Sequence, residues 1–267
     1  MNQPRAPRFI PKKSLGQNFL INPHIRDKMI AACHLKKEDM ILEIGPGRGV
    51  LTEPLAQRVK SVLAVETDKR LVDQLQDQFK NSPVEIVHAD ILSFPFETLP
   101  APIKIIGNLP YNIATPIIEK VIRHREKIDS FYLTVQLEHG LRMLAAPHSK
   151  DYGSLSCFVQ YYAKVKKIFN IKNTAFAPPP KVQSCFLEIL FYKDPPFQAD
   201  NDVLLFKIIR QAFGHRRKTI LNSLSGMRDK ESLHEVFTSL NINPTLRAEN
   251  LSLRDYVRIA NVMSNLE

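Results

Sequence analysis

Five short apolar runs recur in the first half of the chain: MILEI (40–44), SVLAVE (61–66), VEIVHAD (84–90), IKIIG (103–107) and FYLTVQ (131–136). Runs of this length, rich in β-branched residues and bounded by turn formers, predict buried strands. Between them apolar residues return every three or four positions, the period of a helix with one buried face. That period predicts a helix over 22–35, with Asn22 as its cap and Pro23 at its first position. Others follow over about 50–59, over 68–79, and from Ala114 to about His124. Strands alternating with helices in this way predict a mostly parallel sheet covered on both faces. A further helix at about 154–163 precedes two more strands, in VKKIFN (165–170) and CFLEILFY (185–192). After Asp194-Pro195-Pro196 the strand pattern stops. Four helical segments remain, at 203–213, 216–224, 231–240 and 253–263, and Pro244 separates the last two. The expected organisation is an α/β domain over 1–194 and a small all-helical domain over 195–267.

Composition narrows the class. Hydrophobic residues make up 44% of the 267, enough for a sizeable core, and no apolar run approaches the ~18 residues of a membrane span. The basic N-terminal segment lacks the continuous apolar stretch of a secretory signal. Three distant cysteines, Cys33, Cys157 and Cys185, have neither disulfide nor zinc spacing and suggest reduced thiols in a cytoplasmic protein. Lys plus Arg outnumber Asp plus Glu by 37 to 27. The excess is uneven: residues 1–40 carry eight basic and three acidic side chains, and basic clusters recur at Lys164, Lys166, Lys167 and Lys172 and at Arg216-Arg217-Lys218. Such a surface suits a polyanion, most commonly nucleic acid, although a solvated surface of high pI has the same composition.

Two segments carry candidate chemistry. The first is LEIGPGRGV, a glycine loop between the first strand and the next helix, in which Gly45, Gly47 and Gly49 lack side chains where a ligand would meet the backbone. A dinucleotide fingerprint requires G-x-G-x-x-G. Here the third glycine comes one residue early, and Pro46 removes a backbone N–H that a pyrophosphate would use. An adenosine thioether carrying an amino acid fits better. Glu66 ends the second strand, where an acid meets ribose hydroxyls in open α/β sheets, and Asp90 ends the third, where it can accept from an adenine amino group. The second segment is the turn Asn108-Leu109-Pro110-Tyr111 at the end of the fourth strand. The Asn108 amide oxygen and the Leu109 carbonyl are two acceptors, Pro110 stiffens the turn, and the Tyr111 ring is a platform for a base. Two acceptors above an aromatic ring suit an exocyclic amine, whose attack on a methyl sulfonium they would promote by stabilising the growing positive charge. The chemistry requires no metal.

With these segments in place, SLGQNFL (14–20), EIGPGRGVLT (43–52), NLPYNIATP (108–116), FAPPPKVQS (176–184) and FGHRRKTI (213–220) resemble the ribosomal RNA adenine N6-dimethyltransferases, in the family's order and over nearly the whole chain. The small-subunit branch is the nearer one. The resemblance implies a Rossmann-like methyltransferase sheet whose last strand is antiparallel, and S-adenosyl-L-methionine as donor. It implies as acceptors two adjacent adenines in the 3′-terminal hairpin of small-subunit ribosomal RNA within the 30S particle, each becoming N6,N6-dimethyladenine. It further implies that Gln17, Asn18 and Leu20 close over the donor beside Gly45, Gly47, Glu66, Asp90 and Ile91. Asn108, Leu109, Pro110 and Tyr111 hold the target base, with Phe176 on its other face. Lys164, Lys166, Lys167, Arg216, Arg217 and Lys218 meet RNA, the protein acts as a monomer, and a role in small-subunit maturation accompanies catalysis. The sequence departs from the pattern at His139-Gly140, which leaves a local helix start open, and at Leu221, where an arginine is common. The rival readings are a large-subunit dimethyltransferase of the macrolide-resistance type, a non-catalytic assembly factor on the same fold and, more distantly, an NAD-dependent oxidoreductase.

Overall fold

The computed structural model describes residues 11–12 and 15–266. Ser14 of the first motif and the basic residues at 1–10 lie outside the described residues. Along the chain run β1 (Phe19–Leu20), α1 (Pro23–Ala32), β2 (Met40–Ile44), α2 (Thr52–Ala56), β3 (Ser61–Glu66), α3 (Lys69–Gln78), β4 (Val84–His88), β5 (Ile103–Asn108), α4 (Ala114–Arg123) and β6 (Ile128–Gln136). Then come α5 (Leu137–Leu144), α6 (Ser154–Tyr162), β7 (Ala163–Ile171), β8 (Phe176–Ala177) and β9 (Ser184–Phe191). Four helices finish the chain, α7 (Asp202–Gly214), α8 (Ile220–Leu224), α9 (Lys230–Ser239) and α10 (Leu253–Ser264).

Local chemistry sets the ends of these elements. The Asn22 side chain accepts the N–H of Ile25 at 3.1 Å and opens α1. Asp68 caps α3 by accepting the N–H of Arg70. Thr219 caps α8, so Arg216-Arg217-Lys218 lie on a turn before that helix and not within it as expected. The helix expected at 50–59 shortens to α2, with turns on both sides.

The seven long strands form one sheet in the order β4-β3-β2-β5-β6-β9-β7. β2 pairs in parallel with β3 and β5, β3 with β4, and β5 with β6. Leu137, just past β6, donates to the carbonyl of Gln183, just before β9, so β9 runs antiparallel to β6. In register, Ile44 stands level with Val65 and with Gly107, so the carboxyl ends of the parallel strands form one edge. A two-residue pairing of β1 with β8 is separate from this sheet.

The chain forms two compact units, and the division differs from the expected boundary at 194/195. The first takes the residues up to Leu137 and Lys167–Glu188; the second takes Glu138–Lys166 and Ile189–Glu267. The reason is packing: Tyr152, Cys157 and Tyr161, which precede the last strands, share one core with Leu205, Ile209, Phe237 and Tyr256 of the C-terminal helices. The core of the first unit joins Met29, Ile41, Leu55, Val62, Val72 and Leu75 to Phe176 and Phe186. Leu221, the departure from the family pattern, packs on the helical core. His139-Gly140 lie inside an unbroken α5, where burial lowers the His139 pKa and favours the neutral ring. Among the described residues no helix is long and apolar enough to cross a membrane, and no cluster of three side chains could hold a metal ion.

Candidate active site

A cavity of about 740 Å³, its open mouth included, lies at the carboxyl edge of the sheet in the first unit. That edge is where open α/β folds place their ligands. Its wall carries Gly45, Gly47, Glu66, Asp90, Ile91, Asn108, Leu109, Pro110 and Tyr111, together with Leu15 to Phe19 from the N-terminal strap. Among the described residues that line it there are two carboxylates and no Lys or Arg. A pyrophosphate would find no countercharge here, whereas a cationic or neutral adenosine ligand meets suitable groups. This counts against the dinucleotide reading.

The glycine loop makes the space. Gly45 has a φ of +67°, a conformation that suits glycine, and a Cβ on it would meet nothing within 4 Å. A Cβ on Gly49 would instead come within 3.0 Å of Leu75 and Phe79, so this glycine admits α3 and not a ligand.

Glu66 is buried and already well bonded. Oε1 accepts the N–H groups of Thr67 and Asp68, both at 2.9 Å, and Oε2 accepts that of Gly47 at 3.2 Å. A carboxylate has about four acceptor positions. Glu66 Oε2, with a single N–H partner, therefore keeps acceptor capacity for a ligand hydroxyl. Burial raises its pKa and those backbone N–H groups oppose the rise. Asp90 sits two residues past the end of β4, not at the strand end. It is exposed, and its Oδ1 accepts the N–H of Leu92 at 2.9 Å.

Asn108 ends β5 as expected. Its Nδ2 donates to the main-chain carbonyl of Asn18 at 3.0 Å. A carbonyl only accepts, so this bond fixes which amide atom is nitrogen and leaves Oδ1 as an acceptor. The Leu109 N–H is taken by the carbonyl of Thr134. The strap that carries Asn18 is tied down through Gln17. Its Nε2 donates to Asp68 at 3.0 Å and its Oε1 accepts the N–H of Lys12 at 2.7 Å. Arg70 also bonds Asp68, and the Asp68 carboxyl is held well below the usual carboxylate range, chiefly by that side chain.

Three of the expected site residues stand elsewhere. Leu20 and Phe176 face each other across the β1–β8 pair and are buried in the core of the first unit, away from the cavity wall. Successive strand residues point to opposite sides, so Phe19, and not Leu20, lines the cavity. Arg216 is committed within its own unit: its guanidinium donates to the carbonyls of Lys150 and Tyr152 and to the Glu249 carboxylate at 2.9 Å. Arg217 and Lys218 are exposed, as are Lys164, Lys166 and Lys167 on β7, the edge strand of the sheet.

Two further residues stand beside the site with no role legible in the sequence, although one of them, Glu43, opens the EIGPGRGVLT segment. The Lys120 ammonium donates to the carbonyls of Leu92 and Phe94 and lies 4.9 Å from the centre of the Phe96 ring. It thereby braces the turn that carries Asp90 and Ile91; a lysine among the apolar positions of α4 was the only sign of it in the sequence. Glu43 lies beneath the glycine loop, 2% exposed, and its Oε2 has no hydrogen-bond partner. Burial pushes its pKa from 4.5 up to about 8; Thr52 lowers it and the Glu66 carboxylate raises it, each by less. The native carboxyl is thus protonated at pH 7 while the unfolded one is ionised. Its contribution to stability is complete below pH 4.5 and is lost as pH rises towards about 8. Glu43→Gln is expected to flatten that dependence and to raise stability at pH 8 by roughly 2–4 kcal/mol, read from urea unfolding at pH 5 and 8.

Residues 8–265 match the family model described as ribosomal RNA adenine dimethylase. Curated proteins named ribosomal RNA small subunit methyltransferase A match over nearly their whole length. The one from Lachnoclostridium phytofermentans is 38% identical over 96% of this chain and 92% of its own. The one from Psychromonas ingrahamii is 38% identical, covering 96% and 95%. Among solved structures, a dimethyladenosine transferase from Plasmodium falciparum superposes with a TM-score of 0.81 at 27% identity, over 92% of this chain and 98% of that one. The 23S rRNA methyltransferase ErmE shares the fold, with a TM-score of 0.72 at 21% identity over 92% and 100%.

Proposed function

The chain belongs to the ribosomal RNA adenine dimethylase family, and from that premise we propose that it transfers methyl groups from S-adenosyl-L-methionine to N6 of two adjacent adenines in the 3′-terminal hairpin of small-subunit ribosomal RNA, giving N6,N6-dimethyladenine. The observation that carries this reading is the pinned amide of Asn108. Its oxygen is left to accept, beside the Leu109 carbonyl and the Tyr111 ring, in a cavity whose charged wall groups are carboxylates.

The cavity fits the donor by its own chemistry. Gly45 leaves room, Glu66 keeps one acceptor for a ribose hydroxyl, Asp90 and Ile91 stand where an adenine would lie, and Gln17 and Asn18 close the strap beside them. Bound there, S-adenosyl-L-methionine supplies a methyl group on a cationic sulfur. The protein's part is to hold and polarise the acceptor. Asn108 Oδ1 and the Leu109 carbonyl accept the two N6 hydrogens of the target adenine, stabilising the charge that grows on N6 as it attacks. Tyr111 offers the base a flat face. The cationic amine that results is a strong acid and needs no side-chain base. After the first transfer N6 keeps one hydrogen, so one acceptor loses its partner and the pocket takes a methyl group in that place. The exposed Lys164, Lys166, Lys167, Arg217 and Lys218 supply phosphate contacts; Arg216, bonded internally, holds its turn in shape.

Offered under-methylated small-subunit particles and protein-free large-subunit RNA side by side, the protein is expected to place labelled methyl on the particles. Label on the large-subunit RNA alone would favour the macrolide-resistance activity instead.

A further inference from the structure

We propose that Ser184 is a positioning residue for the target base, acting through the hydroxyl of Tyr111. This rests on the reading above, in which the Tyr111 ring receives that base. The Tyr111 hydroxyl lies 2.7 Å from Ser184 Oγ. Ser184 opens β9, and in the sheet β6 stands between β9 and β5, the strand from which the Tyr111 turn departs. The hydrogen bond therefore links the turn after β5 to the start of β9, two strands away in the sheet.

The ring is therefore held at both ends. At its root the turn is stiffened by Pro110, whose carbonyl accepts the N–H of Ile113 at 3.1 Å. At its tip Ser184 is fully buried, and the preceding carbonyl, that of Gln183, accepts the N–H of Leu137 at 2.9 Å. A tyrosine tied only at its root would turn about its first side-chain torsion. The hydroxyl bond removes that freedom and sets the plane on which a base can stack. Stacking itself needs only the ring, so the hydroxyl is separable from it: Tyr111→Phe keeps the platform and loses the tether. The sequence places Ser184 seventy-three residues from Tyr111, and no local pattern joins them.

The test is a double-mutant cycle on methyl transfer to under-methylated small-subunit particles, with donor affinity measured by calorimetry. Tyr111→Phe and Ser184→Ala are each expected to slow single-turnover transfer roughly five- to tenfold, the double variant no further, with donor affinity unchanged. Transfer at the wild-type rate by Ser184→Ala overturns the proposal. So do single effects that multiply in the double variant, since Ser184 would then act by another route. If Ser184→Ala does not fold, Tyr111→Phe decides alone, and a wild-type rate overturns the tether. A wild-type protein that methylates no particle removes the parent reading and this one with it; an active wild type with silent variants removes this one only.

Discussion

Asn108→Ala is expected to slow methyl transfer by about a hundred- to a thousandfold while small-subunit particles and donor still bind. An adenine amino group is a poor nucleophile because its lone pair is delocalised into the ring. A fixed acceptor helps in proportion to the charge that appears on N6, so its contribution is larger in the transition state than in the bound ground state. The Asn108 amide is fixed by a main-chain carbonyl that can accept but not donate, which keeps Oδ1 as acceptor through every turnover. Loss of that oxygen therefore lowers kcat and leaves KM for the particle nearly unchanged. The contrast with Asn108→Asp is informative. An aspartate would place an oxygen against the Asn18 carbonyl, lose the pin, and recover little activity. Rapid-quench methylation of particles, read beside particle binding by filtration, checks both variants. An Asn108→Ala protein within a few fold of wild type would contradict the role given to the amide.

The second large effect concerns Glu66→Ala, which is expected to lower both donor affinity and folding stability. Three backbone N–H groups, from Gly47, Thr67 and Asp68, lose their acceptor together. A buried donor left unpaired costs about 1–3 kcal/mol; Thr67 is exposed to water and counts for less, so the sum is roughly 2–5 kcal/mol. The change also frees the start of the Asp68 turn, to which the Gln17 strap is tied. Donor binding should then fall by at least tenfold, one hydrogen bond's worth from the lost ribose contact and more from the loosened strap. Glu66→Gln separates the two losses. It keeps one oxygen for Thr67 and Asp68 but turns an NH₂ towards the Gly47 N–H, so stability recovers in part. Thermal unfolding with and without donor, paired with calorimetry, gives the comparison. Unchanged stability in Glu66→Ala would show that the N–H groups find other partners.

The strands of the sheet were legible because each is short, apolar and bounded by turn formers, and β2 and β3 begin and end where the pattern places them. The cap at Asn22 was legible for the same local reason. The site residues on strand ends and their turns, Gly45, Glu66 and Asn108, came with them, since topology alone brings those ends to one edge. What failed to show was decided by distant packing or by a single residue of register. Leu20 and Phe19 are adjacent in a motif, and only the pairing with β8 decides which one faces the cavity. Phe176 reads as an aromatic beside a proline run, yet it is buried in the core. Arg216 reads as one of three cations, but Glu249 and two carbonyls, one of them sixty-six residues away, take its guanidinium. The second unit recruits α6 because Tyr152, Cys157 and Tyr161 meet the C-terminal helices, a long-range match that no local period records.

Nucleoside analysis of the product tests most directly whether N6 of an adenine is the atom methylated. Small-subunit particles lacking the modification would be incubated with the protein and S-adenosyl-L-methionine, and their RNA digested and resolved by mass spectrometry. The predicted result is N6,N6-dimethyladenine at two neighbouring positions, preceded in time by the monomethyl form and formed about a hundred- to a thousandfold more slowly with Asn108→Ala. Methyl groups on another atom or another base, or no donor-dependent product at all, would contradict it.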